Sequence, residues 1–131
     1  MLRQIANLRF ALVADAVASG ATGLMMIAGA DLLTGLLGLP VALMREAGLL
    51  LVPYVALVAF VGTRQAIPHG AVKAIIALNI AWVAASIGLL MSGAVAPTLP
   101  GYAFVIFQAV VVGVFAELQV IGLRRADAAT A

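Results

Sequence analysis

The sequence has no cysteine and a single histidine, and only 9% of its 131 residues are charged. The absence of cysteine excludes disulfides, thiolate metal sites and thiol chemistry. A single histidine excludes a zinc site built from several histidines and a haem held by two. We therefore expect no metal and no cofactor.

The scarcity of charge is matched by an excess of apolar residues, which make up 66% of the chain. An average soluble domain has roughly 25% charged and 45–50% apolar residues. A soluble fold of this length could not bury so much apolar surface, so the excess must face lipid. The composition predicts a single integral membrane domain over residues 1–131.

Four stretches of the chain are long and apolar enough to cross a bilayer, which takes about 20 residues as a helix. Proline and glycine in the connections favour helix ends, because proline lacks an N–H donor and glycine has a permissive backbone. Since the connections are short, we expect sequential helices to be antiparallel neighbours. The sequence therefore predicts an all-α membrane protein, a bundle of four transmembrane helices over residues 10–30, 41–62, 74–91 and 102–123.

Residues 31–40 are too apolar for an ordinary loop, since five of the ten are leucine. One interpretation is a short helix after the first span that lies in the plane of the membrane interface, with Asp31 as its cap. The alternative is that the first helix simply continues past the bilayer. The composition favours the short interfacial helix.

The positive charges indicate the orientation of the chain, because lysine and arginine concentrate at the cytoplasmic ends of spanning helices. With four spans, both termini and the second connection share one side. The other side holds only Arg45, which is followed by Glu46. We expect both termini to be cytoplasmic, because their side holds six of the seven cations, Arg3, Arg9, Arg64, Lys73, Arg124 and Arg125.

The motifs of the common enzyme classes are missing from the sequence. It has no phosphate-binding glycine loop, no dinucleotide-binding glycine pattern and no nucleophile elbow. Its positive charges are spread over short segments without the aromatic residues that stack on bases, so we expect no nucleic-acid partner. These absences favour a non-enzymatic protein whose surroundings are the lipid bilayer.

Polar residues within the spans are the candidates for function. Asp15 and Asn79 each follow the cation that bounds their span by six positions, which is about 9 Å of helix. Glu117 precedes the cation that bounds the last span by seven positions, or about 10 Å. Three helices therefore bring a polar side chain to one level, and we predict an intramembrane polar or proton site formed by Asp15, Asn79 and Glu117.

Two interpretations of these polar side chains at one depth stay open. In the functional one, two carboxyls held close in a medium of low dielectric share a proton. In the structural one, Asp15 pairs with Arg9 or hydrogen-bonds Asn79. Glu117 then pairs with Arg124, which lies on the same face of its helix.

The aromatic residues and amides of the spans add two further expectations. Tyr54 and Trp82 form either the wall of a ligand site or ordinary packing contacts. Gln108 and Gln119 lie on the face of the last helix opposite Glu117. If Glu117 points into the bundle, Gln108 points at lipid or at a partner chain, which would indicate a second interface.

The sequences GLLGLP at residues 35–40, AGLLL at 47–51 and FAELQ at 115–119 resemble those of DoxX-like small four-helix proteins of bacterial inner membranes. This resemblance implies a fold and a location in the inner membrane, without a defined activity. The length of the chain and the acid in its first span, Asp15, are also similar to small multidrug-resistance transporters. The strong charge bias departs from the balanced charges of the dual-topology members of that family.

Two functions from different classes fit the sequence. The first is a non-enzymatic accessory subunit or self-associating bundle, whose partner is a second copy or a larger membrane protein. The second is a proton-coupled carrier for a small cationic or amphipathic substrate, with Asp15 and Glu117 as the proton and substrate sites and Asn79 as the orienting residue. Because four helices enclose little volume, such a carrier would work as an oligomer.

Overall fold

The computed structural model describes the backbone of residues 2–130 and the side chains of residues 7–126. Over that part of the chain every element of secondary structure is helical, which confirms the all-α prediction. Five helices follow one another along it, α1 (Leu2–Ala28), α2 (Ala30–Leu37), α3 (Val41–Gly62), α4 (His69–Ser92) and α5 (Leu99–Thr130).

The four longer helices each have the length and apolar composition needed to cross a membrane, as expected of a multi-pass membrane protein. The segments concerned are Asn7–Ala28, Val41–Gly62, His69–Ser92 and Leu99–Ala126. The predicted second span therefore matches α3 at both ends, and the other predicted spans fall largely within helices of their own. Helices α4 and α5 run past their predicted ends, because residues such as Lys73 and Arg124, whose side chains are exposed, continue a helix.

A separate short helix follows the first span, as predicted. Gly29 divides α2 from α1 and occupies the N-cap position, without a side-chain hydrogen bond. The prediction that Asp31 caps this helix is wrong. Asp31 lies within the first turn of α2, and its carboxylate pairs instead with the guanidinium of Arg45 at 3.3 Å.

The connection between α4 and α5 packs against the end of α2. The backbone N–H of Thr98 donates to the carbonyl oxygen of Leu37 (3.0 Å), and its hydroxyl donates to that of Leu36 (2.8 Å). Gly38 ends α2 at a φ of 70°, and a Cβ there would lie only 2.9 Å from the Thr98 nitrogen. Glycine is needed at this position both for its left-handed backbone and for the close approach.

Helix α1 is the centre of the packing, since it runs along α3 on one side and α5 on the other. The approach to α5 is close at Gly122, where a Cβ would lie 3.0 Å from the Leu8 Cα. Helix α4 packs on α5 and scarcely touches α3. The expectation that sequential helices are neighbours is therefore wrong for α3 and α4. Helix α3 packs against α1 and helix α4 packs against α5, so α3 and α4 are splayed apart.

Two apolar clusters form the core, one toward each end of the molecule. The cluster nearer the chain termini contains Leu12, and the cluster nearer α2 contains Met26. We call these ends the terminal end and the α2 end. Tyr54 packs against both clusters, and buried polar side chains lie at its level.

Candidate functional site

The central feature of the molecule is a buried carboxyl group on α1 that polar side chains from every other long helix surround. Asp15 is 0% exposed. Its Oδ2 atom accepts hydrogen bonds from Gln119 Nε2 at 2.7 Å and Asn79 Nδ2 at 3.2 Å, and the Tyr54 hydroxyl lies 2.6 Å away. Its Oδ1 atom accepts from the Ser19 hydroxyl at 2.9 Å. We call these five residues the Asp15 cluster.

The members of the Asp15 cluster also bind one another. Asn79 Nδ2 donates to Gln119 Oε1 at 3.0 Å, and the Tyr54 hydroxyl lies 2.6 Å from Asn79 Oδ1. Gln119 is as completely enclosed as the carboxyl group itself, and Asn79 is buried as well. The cluster is therefore a closed hydrogen-bonded network that joins α1, α3, α4 and α5 at one level.

The Tyr54 hydroxyl lies between two acceptors. Its oxygen is 2.6 Å from both Asp15 Oδ2 and Asn79 Oδ1, and its single proton can be donated to either of them. Tyr54 therefore links the carboxyl group on α1 to the amide on α4.

The structure brings together two of the three residues of the predicted site. Asp15 and Asn79 are hydrogen-bonded, but Glu117 is exposed on the outer face of α5 and takes no part in the cluster. The reason is that α5 has two faces with polar residues, one with Glu117 and one with Gln108 and Gln119, and only one of them can point inward. Gln108 and Gln119 are eleven residues apart, which is about three turns, so both amides lie on one side of α5 and are placed inward together.

Gln119 lies on the inward face of α5, where the sequence predicts Glu117. An inward Glu117 would place both amides on the outer face of the helix. A signal for the correct face was present in Gly122, one turn beyond Gln119, because a residue without a side chain lets α1 approach at that point. The condition under which Gln108 would point at lipid or a partner chain, an inward Glu117, is therefore not met.

Gln108 forms a second polar cluster nearer the α2 end, between α4 and α5. Its Oε1 atom accepts from the Trp82 indole N–H at 2.7 Å, and its Nε2 atom donates to the Ser86 hydroxyl at 3.0 Å. Ser86 in turn donates to the backbone carbonyl of Trp82 at 2.8 Å. We call Trp82, Ser86 and Gln108 the Gln108 cluster, which contains no ionisable carboxyl group.

Tyr54 and Trp82, the predicted ligand wall, line the same groove. The groove has a volume of about 470 Å³ and opens between the splayed helices α3 and α4. Asn79 and Ser19 also line it, and most of the remaining lining is aliphatic. The groove therefore reaches the edge of the Asp15 cluster and suits an apolar or amphipathic molecule.

The structural alternatives for Asp15 and Glu117 have different outcomes. Glu117 forms no ion pair with Arg124 among side chains 7–126. Asp15 is hydrogen-bonded to Asn79 and does not pair with Arg9. The Arg9 guanidinium donates instead to the carbonyl oxygens of Gly62 and Arg64, at 2.6 and 2.8 Å, at the end of α3. A cation there complements the partial negative charge of a helix C-terminus.

No metal site appears among side chains 7–126, where no three histidine, cysteine, aspartate or glutamate residues lie together. The candidate site is thus made of one carboxyl group, two amides and two hydroxyls. Comparison of the chain with protein-family models, with curated proteins and with solved structures finds no match.

Proposed function

We propose that the chain is a small non-enzymatic protein of the cell's inner membrane, a single integral domain that spans the bilayer four times. Its role is that of an accessory subunit or of a bundle that associates with itself. Both termini are cytoplasmic in this proposal, because six of the seven cations lie on their side. Helix α2 lies in the opposite interface, where Asp31 and Arg45 form an exposed ion pair.

The observation that carries this proposal is the closure of the Asp15 cluster. A catalytic or transporting carboxyl group has to meet its substrate, whereas Asp15 is 0% exposed and its oxygens accept from donors on all four long helices. Hydrogen bonds between membrane helices stabilise their packing. The cluster therefore supports a structural role, in which polar side chains hold four helices in one arrangement.

Native mass spectrometry of the protein, extracted gently from its own membrane, tests the proposed role. We expect a homo-oligomer or a fixed complex with a larger membrane protein. Deletion of the chain should then lower the abundance of that complex. A protein that is monomeric in its own membrane, and whose deletion leaves every membrane complex unchanged in level and size, would contradict the proposal.

The groove between α3 and α4 favours a second candidate, a proton-coupled carrier for a small cationic or amphipathic substrate. In this alternative the substrate lies against Tyr54 and Trp82, Asn79 orients it, and Asp15 holds the proton. The Tyr54 hydroxyl supports this assignment, because it lines the groove and lies 2.6 Å from Asp15 Oδ2, so it connects the substrate position to the carboxyl group. Glu117, which faces away from the groove, has no part in it.

Uptake into proteoliposomes under a pH gradient separates the two candidates. A carrier should lose pH-driven uptake in Asp15→Asn and keep it in Glu117→Gln, which makes the same chemical change outside the cluster. Uptake that never exceeds that of empty liposomes, for a panel of lipophilic and small cations, would remove the support for the carrier.

A further inference from the structure

Glu117 is a carboxyl group on the outer surface of a membrane-spanning helix. It is exposed, and it makes no hydrogen bond or ion pair with the side chains of residues 7–126. It lies seven residues before Arg124, or about 10 Å of helix from the cation that bounds the span. Polar groups in lipid are costly and normally find a partner.

Glu117 is poorly placed to reach water by bending its side chain. In an α-helix each Cα–Cβ bond leans toward the N-terminus. Because α5 ends beyond Arg124, the side chain of Glu117 leans away from that end and toward the middle of the span. Bending toward the charged end of the helix would have to work against this direction, so the carboxyl group needs a partner within the membrane.

The residues around Glu117 form a regular exposed row on α5. The row alternates steps of three and four residues, the spacing of the contact positions of a coiled coil. Its apolar members are all exposed, and they are Phe107 (70%), Val110 (59%), Val114 (47%) and Ile121 (42%). We call this row, with Glu117 in it, the α5 seam.

We propose that the α5 seam is the contact surface of a parallel two-fold dimer, in which Glu117 of one copy hydrogen-bonds Glu117 of the second. This inference rests on the self-association in the proposed function and names its surface. A second copy is the partner that carries a carboxyl group at the same depth. Two copies inserted in the same orientation carry the same residue at the same level, so a two-fold axis beside α5 brings the two carboxyl groups together.

The chemistry of the pair is that of two carboxyl groups with one proton between them. The protonated group of one copy donates its O–H to a carboxylate oxygen of the other, which satisfies both side chains in a medium without water. The apolar members of the seam supply close packing on either side. A single polar residue in a row of apolar contact positions also fixes the register of the two helices.

Disulfide cross-linking tests the surface directly, because the chain has no cysteine of its own. Val114→Cys introduces a thiol one turn from Glu117 on the seam. Val52→Cys is the matched control, since it makes the same change on α3 at a similarly exposed position, 55% against 47%. In membrane vesicles treated with a mild oxidant, we expect Val114→Cys to form covalent dimers and Val52→Cys to remain monomeric.

The role of the carboxyl group is tested in the Val114→Cys background. We expect Glu117→Leu to lower the yield of dimer by about tenfold, and Glu117→Gln to keep most of it because an amide can also pair with itself. Since Glu117 is exposed, neither change should disturb the fold of the single chain. Cross-linking that is equal in the Leu and Gln variants would overturn the role of Glu117.

Failure of the seam and failure of self-association give different results. A homodimer in the native mass spectrum without cross-linking at Val114→Cys would leave self-association standing and reject the α5 seam. Cross-linking of Val114→Cys to a different membrane protein would also reject the second copy as the occupant. A native spectrum without any homo-oligomer would reject both the seam and the self-associating form of the proposed function.

Discussion

Each of the two polar clusters contains a glutamine of α5, but the glutamine makes different contacts in the Asp15 cluster and in the Gln108 cluster. Gln119 and Gln108 lie on one face of α5, about three turns apart. Gln119 binds Asp15 on α1 and Asn79 on α4, whereas the side chains that Gln108 binds all lie on α4. What differs is the presence of a carboxyl group, whose two oxygens can accept from several helices at once.

This difference indicates which cluster determines the arrangement of the helices. Helices α4 and α5 are joined at both levels, so either cluster could hold that pair together. Side-chain hydrogen bonds that link α1 or α3 to the α4–α5 pair within residues 7–126 are found at the Asp15 cluster. The Gln108 cluster stabilises a pair, and the Asp15 cluster stabilises the four-helix arrangement.

The largest effect is expected from Asp15→Ala, which removes the acceptor at the centre of the four-helix network. Interhelical hydrogen bonds in membranes average about 0.6 kcal/mol, so the loss of the three from Tyr54, Asn79 and Gln119 should destabilise the fold by about 2 kcal/mol. Thermal unfolding in detergent measures it. Ser92→Ala, an exposed hydroxyl at the end of α4, is the control and should change little. An equal fall in both variants would show that the Asp15 cluster does not hold the helices.

The direct comparison of the two amides comes next in size. Gln119→Leu should cost about 1–2 kcal/mol, because it breaks links from α5 to both α1 and α4 and leaves enclosed polar groups unpaired. Gln108→Leu should cost about 1 kcal/mol or less, since its side-chain partners all lie on α4. The unfolding temperatures of the two variants, measured side by side, rank the clusters. The reverse order would place the main support of the fold at the α2 end.

A smaller change in stability, with a spectroscopic signature, is expected from Asp15→Asn. The amide keeps an acceptor and gains donors, so it should destabilise the fold less than Asp15→Ala. If Asp15 holds a proton, as the carrier requires, the infrared spectrum of the wild type contains a carboxylic-acid C=O band that Asp15→Asn removes. A difference spectrum that shows only the loss of carboxylate bands would mean that Asp15 is ionised.

Much of the fold could be predicted from the sequence, because the spans are long runs of apolar residues with proline, glycine and charge between them. The short helix α2 was also predictable, from its leucine content and from the residues that bound it. The splay between α3 and α4 could not be predicted from the sequence. It depends on α1 packing between α3 and α5, and the length of a connection carries no information about such a contact.

The candidate site was predicted in part, for a physical reason that concerns one helix. Depth along a helix follows from counting residues, and it placed Asp15 and Asn79 at one level correctly. The inward face of α5 does not follow from depth, because Glu117 and Gln119 lie at nearly the same level. Assigning the charged residue inward was wrong, since the interior already contained one carboxyl group and accommodates amides that donate to it.

The smallest expected effect concerns Trp82, the only tryptophan in the chain, whose fluorescence reports on the Gln108 cluster alone. Gln108→Leu removes the acceptor of the indole N–H, and without that polar partner the emission should shift to shorter wavelength. Asp15→Asn should leave the emission unchanged if the two clusters are independent. A shift in Asp15→Asn as large as that in Gln108→Leu would show that they are coupled. Because Trp82 and Asn79 lie one turn apart on α4, such coupling would pass along this helix and would make the two clusters a single polar core.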